Sequence, residues 1–487
     1  MPPRRVVSPE GAIAYHACMS PLYGIYLASR WIIRVIMLFY VPQRRSPNAA
    51  RAWLLLIFVE PYLGLLFYSM LGRPYLPRQR RIRQQEASRF VRETPAVQGA
   101  QAIAAGGPEP EAAARLARTL GDFPVVRGNR VELLPTYGGA VDRLVGDIDA
   151  ARSTVHLLYY IVEPDETGWK VGEAVVRAAR RGVACRVLMD GMASKPGLKR
   201  MAPRLREAGA EVIALLPPGL RGTRRDLRNH RKIAVVDGQV GYAGSQNLVN
   251  AYDYKGRGLT YEELVLRIEG AAVAQLQAVF LTDYFLETGR RPEFGPLFPP
   301  PQAIGSVRAQ LLPSGPTYRA ENNQRVFLQL LYESRARVVV TSPYFVPDAA
   351  FVEAMQAAAQ RGVAVHLVTP RQADQLLVRL AQESFYDGLL EAGVRVHLYR
   401  PGFLHAKHIS VDGEVAVVGS SNMDLRSFEL NEEVMVLCYD RDVADRLAAE
   451  EERYFRNSDE LALTVWRARP LYRSTAQQLA RLVDSLL

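Results

Sequence analysis

The chain has 487 residues, 48% hydrophobic and 23% charged, which excludes a disordered or fibrous protein and is too long for one ordinary domain. Its formal net charge of +11 calls for an anionic partner; nucleic acid and an anionic membrane surface both fit. Three scattered cysteines, Cys18, Cys185 and Cys438, form no Cys-x-x-Cys pair, so neither a disulfide framework nor a zinc site is indicated, and reduced, cytosolic surroundings fit best.

Two apolar stretches come first, roughly Pro21 to Val41 and Ala52 to Leu71. Each is close to the ~20 residues a bilayer-spanning helix needs. Arg30 and Arg34, four apart, share one face of the first, and Glu60-Pro61 interrupts the second. An arginine at the bilayer centre costs ~2.5–3.5 kcal/mol. Two spanning helices are nevertheless the leading expectation, and a hairpin lying in the interface is the alternative. The cluster Arg73, Arg78, Arg80, Arg81 and Arg83 after the second stretch places everything downstream in the cytoplasm. A basic short loop with Arg44, Arg45 and Arg51 also prefers that side, which a two-pass hairpin cannot satisfy and an interfacial one can. Residues 1–85 are thus read as a membrane-associated helical hairpin. Residues 86–121, rich in Ala, Gln, Gly and Pro with Gly106-Gly107-Pro108, read as a linker or loose helical segment.

The sequence then repeats itself. Val131-Glu-Leu-Leu-Pro135 matches Ala309-Gln-Leu-Leu-Pro313, and the β-prone run from Thr154 matches that from Arg337. A helical periodicity follows each, through Val171, Ala174, Val175 and Ala178 in one and Phe351, Met355 and Ala358 in the other. Each closes on Arg-Gly-Val, at 181–183 and 361–363, before another strand. This β-α-β grammar predicts an α/β fold: two domains, 122–295 and 306–487, each with a mostly parallel sheet and covering helices. The Pro-rich run Pro296 to Pro301 lies in a linker over 296–305. Two such copies are expected to pack about a pseudo-twofold axis, joining their motifs in one site.

That motif is His-x-Lys-x4-Asp. His230, Lys232 and Asp237 run on to Ser245 and Asn247; His405, Lys407 and Asp412 run on to Ser420 and Asn422. In both copies the Asn lies 17 residues after the His. His and Lys two apart in a strand share a face, and Asp-Gly between β-prone runs signals a hairpin. One imidazole, one ammonium and one amide, each supplied twice, suit a phosphodiester. Asp237 and Asp412 read first as turn residues. His156, His366 and His397 sit in apolar runs and read as core; His408 should face away from Lys407, and His16 has no matched partner. Glu433 in the second half and Glu263 in the first are candidates to orient the imidazoles, as a catalytic triad's carboxylate does.

These residues resemble the phospholipase D superfamily, whose signature is the duplicated motif. The run Arg228 to Lys232, Leu404 to Lys407, Asn422 to Ser427, and Leu430-Asn431 are similar to bacterial cardiolipin synthases, as is the front end from Arg51 through Pro61, Gly64, Tyr68 and Gly72. Tyr261-Glu262-Glu263 departs from the family, which more often carries Asp at the third position. The resemblance implies two phospholipase D-like domains behind a membrane hairpin at the bacterial inner membrane, with the catalytic domains in the cytoplasm. It implies catalysis by His230, Lys232, Asp237, Glu263, His405, Lys407, Asp412 and Glu433, with Asn247, Asn422, Ser245 and Ser420 holding the substrate phosphate. No metal or cofactor is implied.

It further implies transfer of a phosphatidyl group between two phosphatidylglycerol molecules, releasing glycerol. One imidazole would form a phosphatidyl-histidine and the other would move the proton. The superfamily's usual order makes His230 the nucleophile. Another phosphatidyl transfer, or hydrolysis, is the nearest alternative. A nuclease is disfavoured by the absence of a basic stripe interleaved with aromatics, and a scaffold by two intact motifs. The expected partners are phosphatidylglycerol and anionic membrane lipids rather than nucleic acid; homo-oligomer formation is left open.

Overall fold

A computed structural model describes residues 21–45, 47–72, 76–98, 112–217, 226–252, 256, 258–291, 297–300, 302–318 and 321–481. His16, Cys18, Arg73, the Gly106-Gly107-Pro108 stretch, Pro296 and Pro301 lie outside them. The chain divides into two compact units, residues 1–75 with 224–226, and the remainder.

In the first unit, helices cover Pro21–Tyr40, Pro47–Val59 and Pro61–Phe67, continuing as a wider turn over Tyr68–Gly72. Pro61 has no N–H to donate and starts a new helix, so the second apolar stretch breaks at Glu60. Arg34 donates to the Phe58 carbonyl at 2.8 Å, beside that break. Arg30 pairs with Glu60 at 3.3 Å. The first stretch is thus one helix carrying two arginines, and the second is broken in two. Among the described residues no helix is long and apolar enough to cross a membrane, so the two expected spanning helices are not seen among them.

The second unit is built on a mixed sheet of sixteen strands. From one edge the order is Ser458–Glu460, Arg395–Tyr399, Ala364–Pro370, Arg337–Thr341, His408–Val411, Val415–Gly419, Asn431–Tyr439 and Val307–Ser314. It continues through Val126–Leu134, Val265–Glu269, Val240–Gly244, Ile233–Val236, Thr154–Tyr159, Ala184–Asp190 and Glu211–Leu215. The short strand Arg228–Asn229 pairs onto Asn431–Tyr439. The first strand of each half meets the other antiparallel, with a register shift between Val126 and Asn129, so one sheet runs through both halves. Moving out from this seam, corresponding strands follow in the same order on either side.

The parallel expectation holds for three strands on each flank and for the short Arg228–Asn229 strand. The motif hairpins and the strands beside them are antiparallel. A chain that turns back through Asp-Gly within three residues cannot form a parallel pair.

Helices cover the sheet where the periodicity placed them. Asp165 and Asp348 cap Glu166–Arg180 and Ala349–Gln360, accepting from the Gly168 and Phe351 amides. The repeated Arg-Gly-Val is the exit of each helix. Gly182 and Gly362 take φ of 89° and 92°, and the next valine amide returns to the Ala178 or Ala358 carbonyl at 3.1 Å.

The described parts of the 86–121 stretch, 86–98 and 112–121, are largely helical. Helix Arg78–Glu93 packs on Ala272–Thr288, and Val91 and Val97 enter the core. Helix Ala112–Gly121 buries Ala113, Ala114 and Ala117 beside Val326 and Phe327. Small side chains that looked like linker composition allow close packing.

Candidate active site

Each motif is the entry to a hairpin. His230 and Lys232 precede strand Ile233–Val236, and His405 and Lys407 precede strand His408–Val411; the turns follow at 237–239 and 412–414. Asp237 and Asp412 both take φ of 54°. The Asp237 carboxylate accepts the Arg152, Ser153 and Thr154 amides, each at 2.8 Å. That of Asp412 accepts the amides of Arg335, Ala336 and Arg337 at 2.8–2.9 Å. Both aspartates thus tie the hairpin turn to the start of a neighbouring strand, and the amide bonds hold the Asp237 carboxyl below its ordinary range despite some burial.

The histidine-bearing segments dock on the opposite half. Arg228–Asn229 pairs with Asn431–Glu432, and the His230 amide donates to the Glu432 carbonyl at 2.8 Å. Phe403–Leu404 pairs with Tyr261–Glu262, and the His405 amide donates to the Glu262 carbonyl at 2.7 Å. One residue further along each partner strand is the glutamate that meets the imidazole. His230 Nδ1 lies 2.9 Å from Glu433, and His405 Nδ1 2.7 Å from Glu263. With Nδ1 engaged, each ring leaves Nε2 for chemistry.

Both lysines are buried, and each Nζ donates to the carbonyl of the preceding motif histidine, at 2.5 Å for Lys232 and 2.6 Å for Lys407. Burial pushes Lys232 down to about 7 and Lys407 to about 8, and each lysine lowers the other half's histidine. Burial likewise brings His230 down to about 4, and His405 well below its usual value. The carboxylates diverge. Burial raises Glu263 to about 7. Glu433 falls below its ordinary value despite burial, because His230, Lys232 and the Ser420 hydroxyl all favour its charge.

Asn247 and Asn422 are buried; Asn247 Oδ1 accepts the Ile161 amide at 3.2 Å, which leaves its N–H groups as donors. The serines also have partners within the protein. Ser420 Oγ donates to Glu433 and accepts the Val434 amide. Ser245 Oγ bonds both backbone groups of Leu264. Both secure the strands that carry the orienting glutamates.

A family profile described as cardiolipin synthase, PLD-like domain, matches residues 144–284 and 327–455, one segment around each motif. The chain belongs to this family. Cardiolipin synthase A of Pectobacterium carotovorum subsp. carotovorum is 32% identical over 486 residues, covering 96% of this chain and 98% of that protein. Cardiolipin synthase A of Yersinia pestis is 33% identical over 483 residues, with coverage of 96% and 98%. In fold, the second unit's architecture is shared with the crystal structure of phosphatidylserine synthase from Haemophilus influenzae, at a TM-score of 0.59 and 16% identity, covering 77% of this chain and 98% of that one. The protein is therefore a phospholipase D-type enzyme of the cardiolipin synthase family, a phosphatidyltransferase.

Residues absent from the His-x-Lys-x4-Asp reading brace the motif segments. Arg231, between His230 and Lys232, is fully buried. It bonds the Asp283 carboxylate, Glu432 Oε2 at 3.1 Å, the Glu433 carbonyl at 2.9 Å and the Ser314 carbonyl at 3.1 Å. Asn229 donates to the other Asp283 oxygen at 2.9 Å. Aromatic walls flank the imidazoles: Tyr160 lies edge-on to His230 at 4.6 Å, and Tyr344 edge-on to His405 at 6.5 Å between ring centres. The signal for Asp283 was in the chain, as a lone acid in the middle of the apolar run Ala272–Leu286.

His156, His366 and His397 are buried as expected, the last two stacked on each other and on Phe455. His408 is buried against Glu451 rather than facing the site.

Proposed function

We propose that the protein makes cardiolipin by transferring a phosphatidyl group from one phosphatidylglycerol to another, with two motif-bearing domains related by a pseudo-twofold axis and sharing one site. The crossed histidine–glutamate pairs carry this reading, because they supply two differently charged imidazole partners beside two lysines. His230 Nε2 attacks phosphorus, the phosphorus–oxygen bond to glycerol breaks, and a phosphatidyl-histidine forms. His405 gives its Nε2 proton to the departing glycerol oxygen. In the second step His405 takes a proton from the hydroxyl of a second phosphatidylglycerol. That oxygen attacks phosphorus, the phosphorus–nitrogen bond breaks, and cardiolipin leaves.

The unequal carboxylates support this division of labour. An ionised Glu433 stabilises the positive charge that develops on His230 as nucleophile. Glu263, raised to about 7, keeps a shared proton beside His405, which an acid needs. Lys232, Lys407, Asn247 and Asn422 offer donors to the non-bridging oxygens as charge develops. Asp237 and Asp412 serve the hairpins, and Ser245 and Ser420 the glutamate strands. The basic hairpin exit and the lipid substrate favour attachment at the inner membrane with the catalytic domains in the cytoplasm.

Purified protein with phosphatidylglycerol vesicles should release glycerol and form cardiolipin, identified by mass. His230→Ala should lose the protein-bound phosphatidyl label. Phosphatidic acid as the sole product would mean that water is the acceptor and would overturn transfer.

A further inference from the structure

Beyond the motif site, the second half carries a cavity of about 470 Å³. Tyr344, the residue edge-on to His405, forms part of its wall and donates to Asp374 at 2.8 Å. The cavity is otherwise bordered by Val378, Arg379, Val465, Trp466 and Arg473. These come from helices Leu376–Glu383, Leu463–Arg467 and Leu471–Arg481.

The outer turns of the same helices hold large apolar side chains in the open. Leu376 and Val465 are each 69% exposed, Leu471 86% and Tyr472 77%. Leu376 lies two residues before Val378, and Leu471-Tyr472 immediately precede Arg473, so this apolar lip rims the cavity. Its charge leans positive, although Asp459 and Glu460 also line the cavity and Arg467 and Arg469 pair with Glu391 and Asp387. From Leu461 to Arg481 the chain has Arg467, Arg469, Arg473 and Arg481 and no Asp or Glu. Arg379 and Arg473 both pair with Glu383, at 2.8 and 3.0 Å, yet their side chains are 39% and 40% exposed against 8% for the carboxylate. The cationic heads face outward and the anion lies beneath them.

Leucines and a tyrosine projecting past outward arginines are the composition of a surface that lies on an anionic bilayer. We infer that this lip is a bilayer-contacting edge of the catalytic unit, additional to the N-terminal hairpin. It draws phosphatidylglycerol toward the cavity, so that a lipid phosphate reaches His405 past Tyr344 while its acyl chains stay in the membrane. This deepens the proposed phosphatidyl transfer and rests on it for the substrate.

The test uses the full chain with a fluorophore at Tyr472→Cys, in a Cys18→Ser background, since Cys185 and Cys438 are buried. In nanodiscs of phosphatidylglycerol and phosphatidylcholine, brominated acyl chains should quench the label. Leu471→Asp with Tyr472→Asp should raise the KM for vesicle phosphatidylglycerol roughly tenfold, leave kcat unchanged, and leave turnover of monomeric dihexanoyl phosphatidylglycerol unaltered. An unquenched label, an unchanged vesicle KM, or quenching that follows protein concentration in detergent and so reports a second copy, would each overturn the lip. If the wild-type chain makes no cardiolipin from either substrate, phosphatidyl transfer fails; the bromine quenching still decides the lip by itself.

Discussion

His230 is oriented by Glu433, 203 residues away in the other half of the chain, at 2.9 Å. His405 is oriented by Glu263 in the same crossed manner. Each docking is prepared by the backbone, because the short strand ahead of each histidine pairs with the strand holding the opposite glutamate. An isolated half would hold one imidazole and one carboxylate that never meet. The shared sheet at the seam and the crossed pairs therefore assemble the site together.

The two glutamates should fail in different ways. Glu433→Gln removes the charge beside His230, the proposed nucleophile, and a loss of ~10²–10⁴-fold is expected, in line with triad carboxylate substitutions. Glu263→Gln removes the shared proton from the acid. A phosphatidyl ester of p-nitrophenol has a leaving group that needs no proton. Glu263→Gln should recover most of its activity on that ester, and Glu433→Gln should not. Stopped-flow absorbance with both substrates reads the difference, and equal losses on both would reverse or erase the assigned roles.

The buried lysines predict a pH-dependent stability. Lys232 is lowered from 10.5 to about 7 by burial, so the folded state binds fewer protons than the unfolded one between those values. Stability attributable to this group therefore rises with pH across that window, and its desolvation cost is fully present below about 7. Lys232→Met removes the effect. The difference in Tm between wild type and variant should move in favour of wild type by a few degrees as pH goes from 7 to 10. Calorimetry of both proteins across that range checks it, and a pH-independent difference would show that the ammonium is better solvated than its burial implies.

Much of this arrangement was legible beforehand. Asp-Gly between apolar β-runs marked both hairpins, and Arg-Gly-Val marked two helix exits because only glycine takes the required left-handed turn at little cost. The crossing was not legible, since sequence spacing gives no information about which half a carboxylate faces. Arg231 is out of phase with His230 and Lys232, and alternation alone would send it away from the site. It does point away, into a buried cluster that alternation cannot reveal. Serine hydroxyls beside a phosphate motif suggested ligand donors, and the contact of Ser420 with Glu433 was not visible from spacing.

Arg231 is expected to be a stability determinant that acts on the site through its neighbours. Arg231→Ala leaves Asp283 and Glu432 buried without their cation and should cost ~3–5 kcal/mol. Arg231→Lys should rescue little, because one ammonium cannot span Asp283, Glu432 and two carbonyls. The combined Arg231→Met and Asp283→Leu variant removes both charges of the closest pair and should be less destabilised than Arg231→Ala. Urea unfolding of the three variants tests the order. If Arg231→Ala is the mildest of them, the cluster is hydrated in solution.

Asp237 and Asp412 provide the sharpest separation of architecture from chemistry. Each sits at positive φ in its turn, and its carboxylate accepts three backbone amides from the start of a neighbouring strand. Alanine would leave those donors unpaired and adopt the left-handed region less readily, at a combined cost of ~2–4 kcal/mol. Asparagine keeps one acceptor oxygen and tolerates that backbone, so it should cost about half as much. Both variants should retain kcat within a few-fold at temperatures where they stay folded, because neither carboxylate bonds to an imidazole. Melting curves and kcat measured on the same preparations decide the matter. A loss of ~10²-fold or more in kcat from fully folded Asp237→Asn would move this aspartate from the turn into the reaction.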